Sequence, residues 1–216
     1  MAAKGKKKLT KKEKRRIRII VFQIAILFFA MIGVITTFVL IVKGIGALVK
    51  KEVAEPGVTE EFLTVNSYSR PGIKLDGVNG IVVHYTANPG SNAQDNRDYF
   101  ENLKFTHKTK VSSHYVIGLD GEILWLIPLD EMSYASNSRN SDTISIECCH
   151  PDESGKFNDA TYNSLVNLVA WLCKKFNLST DKVIRHYDVT GKICPKYYVD
   201  HEDAWQKFLE DVQSKL

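Results

Sequence analysis

Cysteine is scarce in this chain, since four of its 216 residues are cysteines: Cys148, Cys149, Cys173 and Cys194. Four cysteines are too few for a disulfide scaffold, and they lack the paired spacing of a zinc ribbon. Cys148 and Cys149 are adjacent and point to opposite faces of a predicted strand, so they are poor disulfide partners for each other. The composition, 44% apolar and 25% charged, instead indicates a globular protein with a substantial core.

An excess of basic residues is missing from most of the chain, although the whole chain carries a net charge of +4. Residues 1–18 contain ten Lys or Arg and one Glu, a net charge of +9, so residues 19–216 sum to −5. A nucleic-acid-binding domain needs a basic face of its own. The charge distribution therefore argues against nucleic acid as a partner of the folded part.

Charged residues are absent from residues 19–42, where Gln23, Thr36 and Thr37 are the polar side chains. A helix of this length, at about 1.5 Å per residue, spans the hydrocarbon core of a bilayer, about 30 Å thick. A buried core helix rarely runs this long without a polar face, and a cleaved secretory segment is shorter and ends at a small-x-small site. We therefore predict a transmembrane helix over residues 19–42, in contact with the lipid bilayer.

The basic residues are distributed unequally around this predicted helix. The basic tail, residues 1–18, precedes the helix directly, whereas three lysines follow it closely. The positive-inside rule therefore predicts a single-pass protein of the cell membrane with a cytoplasmic N-terminus and an extracytoplasmic C-terminal part. Residues 43–61 mix charges with Gly and Pro and are predicted to form a juxtamembrane stalk, which leaves residues 62–216 as one folded domain.

In residues 62–216, short apolar β-branched runs alternate with segments of helical periodicity. Strands are predicted at 81–85, in a hairpin over 112–128, at 142–149 and at 182–187, and helices at 93–105, 159–176 and 201–216. Asp159 is the predicted cap of the second of these helices. The pattern predicts an α/β domain with a central mixed β-sheet flanked by helices.

Glu147 is an acidic residue near the end of an apolar strand. In the run Ile-Ser-Ile-Glu-Cys, residues 144, 146 and 148 face one way and Glu147 faces the other. A buried carboxylate is costly unless it is paired or functional. Glu147 is therefore either a salt-bridged structural residue or a residue that faces a cleft.

His84, His186 and Cys194 lie at predicted strand ends or in loops and have side chains that bind metals. Two imidazoles and a thiolate would leave Zn²⁺ with one open tetrahedral position, as in a catalytic site. Their spacing, 102 and 8 residues, is a weak signal by itself. The alternatives are a strand histidine with satisfied hydrogen bonds, a buried thiol and, for His114 elsewhere, a place in the core.

Four motifs in order resemble a known family. The segments VVHYTA (82–87), VSSHYVIGLDG (111–121), DTISIECC (142–149) and RHYDVTGKICP (185–195) are similar to the zinc-dependent N-acetylmuramoyl-L-alanine amidases of the type 2 family. Phage lysozyme-type amidases and animal peptidoglycan recognition proteins are relatives of that family. The resemblance covers roughly residues 63–205, and four ordered motifs are far more specific than any one of them.

The resemblance implies a role for five residues. His84, His186 and Cys194 match the zinc ligands, Lys192 matches a residue that stabilises the oxyanion, and Glu147 matches the acidic general base of one branch. Another branch uses a tyrosine just before the histidine of the second motif, and here that position is a serine, so the base must come from the glutamate.

The implied activity is zinc-dependent hydrolysis of the amide between the muramoyl lactyl group and L-alanine in cell-wall peptidoglycan. Two alternatives stay open, namely a membrane-anchored module that binds peptidoglycan without cutting it and a zinc peptidase that acts on stem peptides. The polar segment SYASNSRNSD, residues 133–142, has residue types that suit contact with sugar or stem peptide.

Overall fold

The structure, a computed structural model, describes residues 10–48 and 53–216. The chain forms two compact units, Met1–Lys51 and Glu52–Leu216. Residues 1–9 of the predicted basic tail and residues 49–52 of the predicted stalk lie outside the described residues.

The first unit consists of one long helix, α1, Lys11–Leu48. It begins with a reciprocal cap, since the Thr10 hydroxyl accepts from the Glu13 amide and the Glu13 carboxylate accepts from the Thr10 amide. The hydroxyls of Thr36 and Thr37 donate to carbonyls one turn back, at 2.9 and 2.8 Å, so neither polar group needs water. By length and composition, α1 could cross a membrane over Lys11–Leu40.

The second unit is an α/β domain built on a mixed six-stranded sheet. Its strands are β1 Thr59–Glu60, β2 Gly80–Tyr85, β3 Tyr115–Ile117, β4 Ile123–Trp125, β5 Thr143–Cys148 and β6 Val183–Arg185. Its helices are α2 Ala93–Thr106, α3 Asp159–Phe176, α4 His186–Thr190, α5 Lys196–Asp200 and α6 Glu202–Lys215, with short 3₁₀ turns at Asn137–Arg139 and Thr180–Lys182. The strand order is β1-β4-β3-β5-β2-β6, and β3–β4 is the antiparallel pair. The predicted central mixed sheet with flanking helices is confirmed.

Helices cover both faces of the sheet. On one face, Ile144 and Ile146 of β5 pack into a cluster with Leu168 of α3 and Phe208 of α6. On the other face, a smaller cluster joins α2 to β3 and β4. The alternation predicted for β5 is present, because Ile144 and Ile146 lie in the first cluster while Cys149, just beyond the strand, lies in the second.

Several element ends differ from the sequence prediction: α1 extends beyond residues 19–42 at both ends, and in the second unit the ends of one helix and one strand differ as follows. Asn158 caps α3, because its side chain accepts from the Thr161 amide at 2.9 Å, and Asp159 is the first helical residue. The last predicted strand stops at Arg185, where the carboxylate of Asp188 accepts from the Arg185 amide at 2.8 Å and starts α4. His186 therefore begins a helix and does not end a strand.

The end of the predicted stalk belongs to the sheet. Strand β1, Thr59–Glu60, runs parallel to β4, and the Glu61 amide continues the ladder by donating to the Trp125 carbonyl at 3.0 Å. An edge strand offers unpaired backbone groups, which an extended segment arriving at that edge can satisfy. The glycine and charged residues of this segment indicated a stalk. Its pairing in the sheet could not be predicted from its own composition, because the partner strand β4 is distant in sequence.

Candidate active site

The site lies at the carboxyl ends of three neighbouring parallel strands. Strands β2 and β5 are paired so that His84 lies beside Glu147, which places both side chains on the same face. Strand β6 lies on the other side of β2, and His186 follows it directly. Side chains at adjacent strand ends converge, as is common for sites in α/β folds.

The structure brings the three predicted metal-binding residues together. One ligand atom from each of His84, His186 and Cys194 lies within 4.8 Å of the others, and all three residues are buried. The Cys194 sulfur is 3.8 Å from Nδ1 of His84. Tetrahedral zinc with ordinary bond lengths sets neighbouring N and S ligands about 3.6 Å apart. The donor atoms and their burial therefore fit Zn²⁺, and the separation of 3.8 Å between Cys194 and His84 is close to the spacing that zinc requires.

The short helix α4 accounts for the spacing of eight residues between His186 and Cys194. Gly191 ends the helix in the left-handed conformation, with φ of 79°, which reverses the chain direction. The returning segment then pairs with the helix start, where the Tyr187 amide donates to the Cys194 carbonyl at 2.9 Å. One helical turn and one reversal thus place the thiol beside the imidazoles.

The electrostatic environment favours neutral imidazoles. Burial lowers the pKa of His84 well below its usual range, and the charges of His186 and Lys192 act in the same direction. Burial also lowers the pKa of His186, and the positive charge of Lys192 adds a smaller shift in the same direction. Burial raises the pKa of Cys194 to about 12. The imidazoles are thus neutral, as metal ligands must be, whereas the thiol has to lose its proton when a metal binds.

Glu147 and Lys192 line a cavity of about 380 Å³ with Thr86, Asn96 and Tyr99. In the described part of the chain, the buried Oε2 of Glu147 has no hydrogen-bond partner, and no salt bridge involves this carboxylate. Burial raises the pKa of Glu147 to about 8, and Lys192 opposes that shift. The sequence left two interpretations of Glu147 open, and the geometry favours the one in which its side chain faces a cleft.

His114 lies in the core, away from the metal-binding cluster. Its Nε2 donates to the Glu131 carbonyl at 2.8 Å, and its Nδ1 accepts from the Ser145 amide at 3.0 Å. Ser113 is also buried, and its hydroxyl donates to the Tyr115 carbonyl at 2.8 Å. Both residues therefore serve the packing of the second motif.

We expect His114 to make the stability of the domain depend on pH. Burial lowers the pKa of His114 to about 4 from the ordinary 6.5, and the hydrogen bond to the Glu131 carbonyl and the charge of Glu131 only partly oppose that shift. The contribution, about 3 kcal/mol, is complete above pH 6.5 and is lost as pH falls towards 4, with about 2 kcal/mol lost between pH 7 and 5.

Urea unfolding of the metal-free chain at several pH values measures this effect. His114→Gln should reduce the loss of stability between pH 7 and 5 by about 2 kcal/mol, whereas His107→Gln, at an exposed histidine, should leave that loss unchanged. Equal slopes for wild type and His114→Gln would contradict the expectation.

The polar segment 133–142 contacts the two histidines. Ser136 lies 3.2 Å from Nε2 of His84, and Asn137 lies 2.8 Å from Nε2 of His186. The residue types indicated a polar loop, but nothing in the sequence pointed to these two contacts.

Comparison with known proteins gives concordant matches over the second unit. A family described as N-acetylmuramoyl-L-alanine amidase (Amidase_2) matches residues 74–197. The chain is 40% identical over 172 residues to N-acetylmuramoyl-L-alanine amidase CwlL of Bacillus licheniformis, covering 74% of this chain and 47% of CwlL. It is 32% identical over 179 residues to N-acetylmuramoyl-L-alanine amidase BlyA of Bacillus subtilis, covering 73% of this chain and 47% of BlyA. The chain thus spans about half the length of these curated relatives.

A solved structure shares the fold. The catalytic domain of XlyA, an amidase of Bacillus subtilis, superposes with a TM-score of 0.61 and is 29% identical, covering 73% of this chain and 99% of that domain. The family match over residues 74–197 contains every residue of the candidate site.

Proposed function

Because the chain belongs to the N-acetylmuramoyl-L-alanine amidase family, we propose that it uses zinc to hydrolyse the amide between the lactyl group of N-acetylmuramic acid and L-alanine in cell-wall peptidoglycan. The observation that carries this proposal is the buried group His84, His186 and Cys194 next to a cavity lined by Glu147 and Lys192. A module that only bound peptidoglycan would need neither three clustered metal donors nor a carboxylate without a partner beside them.

His84, His186 and Cys194 would hold the zinc ion. When bound in a site with an open position, zinc polarises the substrate carbonyl and makes water a stronger nucleophile. The protein shields this group from bulk water, since all three residues are buried. It also keeps both imidazoles neutral through burial, which lowers the pKa values of His84 and His186.

Glu147 is the proposed general base. Its carboxylate would take a proton from the attacking water and then pass that proton to the leaving amino group of L-alanine. A group performs both transfers well when its pKa is near the working pH, and burial raises the pKa of Glu147 to about 8. Its position beside His84 on the next strand supports this role.

Lys192 is proposed to stabilise the oxygen of the attacked carbonyl. It lines the same cavity as Glu147, and its charge influences Glu147, His84 and Cys194. An ammonium that is already in place when negative charge develops lowers the activation barrier by about 3–4 kcal/mol. It is exposed, so solvent can reach it before substrate enters.

We further propose that α1 anchors the enzyme in the cell membrane through residues 19–42. In residues 19–40, the large apolar side chains are exposed, for example Phe22, Leu27 and Phe29 at 67%, 69% and 70%. Such exposure is costly in water and favourable in lipid. The basic tail 1–18 would remain in the cytoplasm. The part of 43–61 that precedes β1 would form the stalk, and the domain of residues 62–216 would act on the wall outside.

Protease treatment tests this topology. Protease added to intact cells stripped of their wall should remove the domain and leave a fragment of tail plus helix, because only the extracytoplasmic part is accessible. Detergent-permeabilised cells serve as the control, in which the tail should also be cut. A domain that is fully protected in intact cells would reverse the proposed orientation.

Mass spectrometry of digested wall fragments tests the reaction. The full-length protein in detergent should release free L-alanine amino termini from peptidoglycan, because the proposed bond joins this residue to muramic acid. A chelator should abolish the release, and added zinc should restore it. New termini elsewhere in the stem would favour the peptidase, and binding without any new termini would favour the non-catalytic module.

A further inference from the structure

Two consecutive residues of the polar segment 133–142 reach the imidazoles of the candidate metal site. The Ser136 hydroxyl lies 3.2 Å from Nε2 of His84, and the Asn137 side-chain oxygen lies 2.8 Å from Nε2 of His186. Both contacts are made at Nε2, so in each ring the other nitrogen, Nδ1, is the one left for a metal.

The Asn137 contact determines where the His186 proton lies. A carboxamide oxygen can only accept a hydrogen bond, so Nε2 of His186 must carry the hydrogen and Nδ1 must carry the lone pair. This is the tautomer that binds a metal through Nδ1.

The Ser136 contact leads to the same tautomer for His84. Nδ1 of His84 lies 3.8 Å from the Cys194 sulfur and so faces the centre of the donor group. For Nδ1 to offer its lone pair there, Nε2 must carry the hydrogen and donate it to the Ser136 hydroxyl.

We propose that Ser136 and Asn137 form an imidazole clamp, a pair of positioning residues that holds His84 and His186 with Nε2 protonated and Nδ1 directed at the metal. The clamp rests on the proposed zinc function of the site and extends it to residues outside the ligand set. Partners on the second nitrogen of a ligating histidine fix the ring orientation and raise its basicity.

The segment that carries the clamp is tied down at several points. The Asn140 side-chain oxygen accepts from the backbone amides of Ala135 and Ser136, at 3.0 and 2.6 Å. The hydroxyl of Thr143, the first residue of β5, donates to the Arg139 carbonyl at 2.6 Å. The clamp therefore lies on a short loop that is held by hydrogen bonds and leads into β5, the strand that carries Glu147.

The burial of Ser136 and the backbone conformation of the exposed Asn137 agree with contacts to the two rings. Ser136 is 1% exposed, so its hydroxyl, which contacts His84, is inaccessible to a substrate in solvent. Asn137 has φ of 51°, in the left-handed region that asparagine adopts more readily than most residues. Because the backbone turns at Asn137, the residue after Ser136, the two adjacent side chains can reach two different imidazole rings.

Substitutions at Asn137 test the clamp through zinc affinity. Asn137→Gly permits the same φ but removes the acceptor, and it should weaken zinc binding about 10–100-fold. Asn137→Asp keeps an acceptor and should bind zinc nearly as tightly as wild type. Ser136→Ala should also weaken binding, whereas Ser138→Ala, at an exposed position of the same segment, should have no effect. Competition with a chelating dye on the full-length chain in detergent measures these affinities.

A second readout does not depend on zinc. Two-bond ¹H–¹⁵N correlations on the metal-free wild type should show His84 and His186 protonated at Nε2, and Asn137→Gly should shift His186 towards a mixture of tautomers. Protonation of His186 at Nδ1 in the wild type, or unchanged zinc affinity in Asn137→Gly, would overturn the clamp. If the wild-type protein shows the expected zinc affinity and tautomers but does not hydrolyse peptidoglycan, the amidase proposal is refuted, whereas the clamp is not.

Discussion

Replacing Glu147 by glutamine is expected to lower the rate of wall hydrolysis about 10²–10⁴-fold, the range for a residue that moves a proton in the transition state. Glutamine has nearly the same size and can still form hydrogen bonds, but it cannot accept the proton of the attacking water. The carboxylate makes no salt bridge in the described residues, so the substitution breaks no ion pair. Because burial raises the pKa of Glu147, glutamine should also raise the unfolding temperature slightly or leave it unchanged.

The measurements are release of L-alanine amino groups, zinc content and thermal unfolding on one preparation of full-length protein. Glu153→Gln is the matched control, because Glu153 is an exposed glutamate near the same end of the sheet. Full activity in a folded, zinc-loaded Glu147→Gln protein would refute the base assignment. A large drop in unfolding temperature with normal activity per folded molecule would make Glu147 a structural residue.

The second large effect is expected from the metal-binding residues. His84→Ala and Cys194→Ser should each lose most zinc affinity and, with it, all measurable hydrolysis. The three donors lie within 4.8 Å of one another, so removing one leaves a two-point contact in place of a closed chelate. Serine at position 194 is nearly isosteric, but its hydroxyl is not ionised at neutral pH and is a poor zinc ligand.

Elemental analysis of the purified full-length variants gives the zinc content directly. The controls are His107→Ala, at an exposed histidine, and Cys173→Ser, at a buried cysteine in α3. Both controls should retain zinc at the wild-type ratio. Near-stoichiometric zinc in both His84→Ala and Cys194→Ser would rule out this site, and zinc lost from Cys173→Ser as well would point to a general loss of structure.

Local properties of the sequence predicted several elements without knowledge of their neighbours. The absence of charge over residues 19–42 predicted a long apolar helix, because backbone hydrogen bonding within a helix needs no partner from elsewhere. Alternation along 144–148 predicted which side chains of β5 face the core, because a strand repeats every two residues. Four ordered motifs indicated the family, and with it the five residues proposed to act.

Contacts between distant residues were decided by the tertiary structure. The pairing of β2 with β5 and β6 brings His84 beside Glu147 and near His186, which is 102 residues away, and no local periodicity encodes that register. The edge strand β1 depends on β4 in the same way. Ser136 and Asn137 had only the composition of a polar loop, and their contacts with the imidazoles exist because the segment folds back from the start of β5. Sequence therefore determined the longer elements and the candidate residues, whereas tertiary packing decided the short elements β1 and α4 and, through strand register and loop path, which side chains meet.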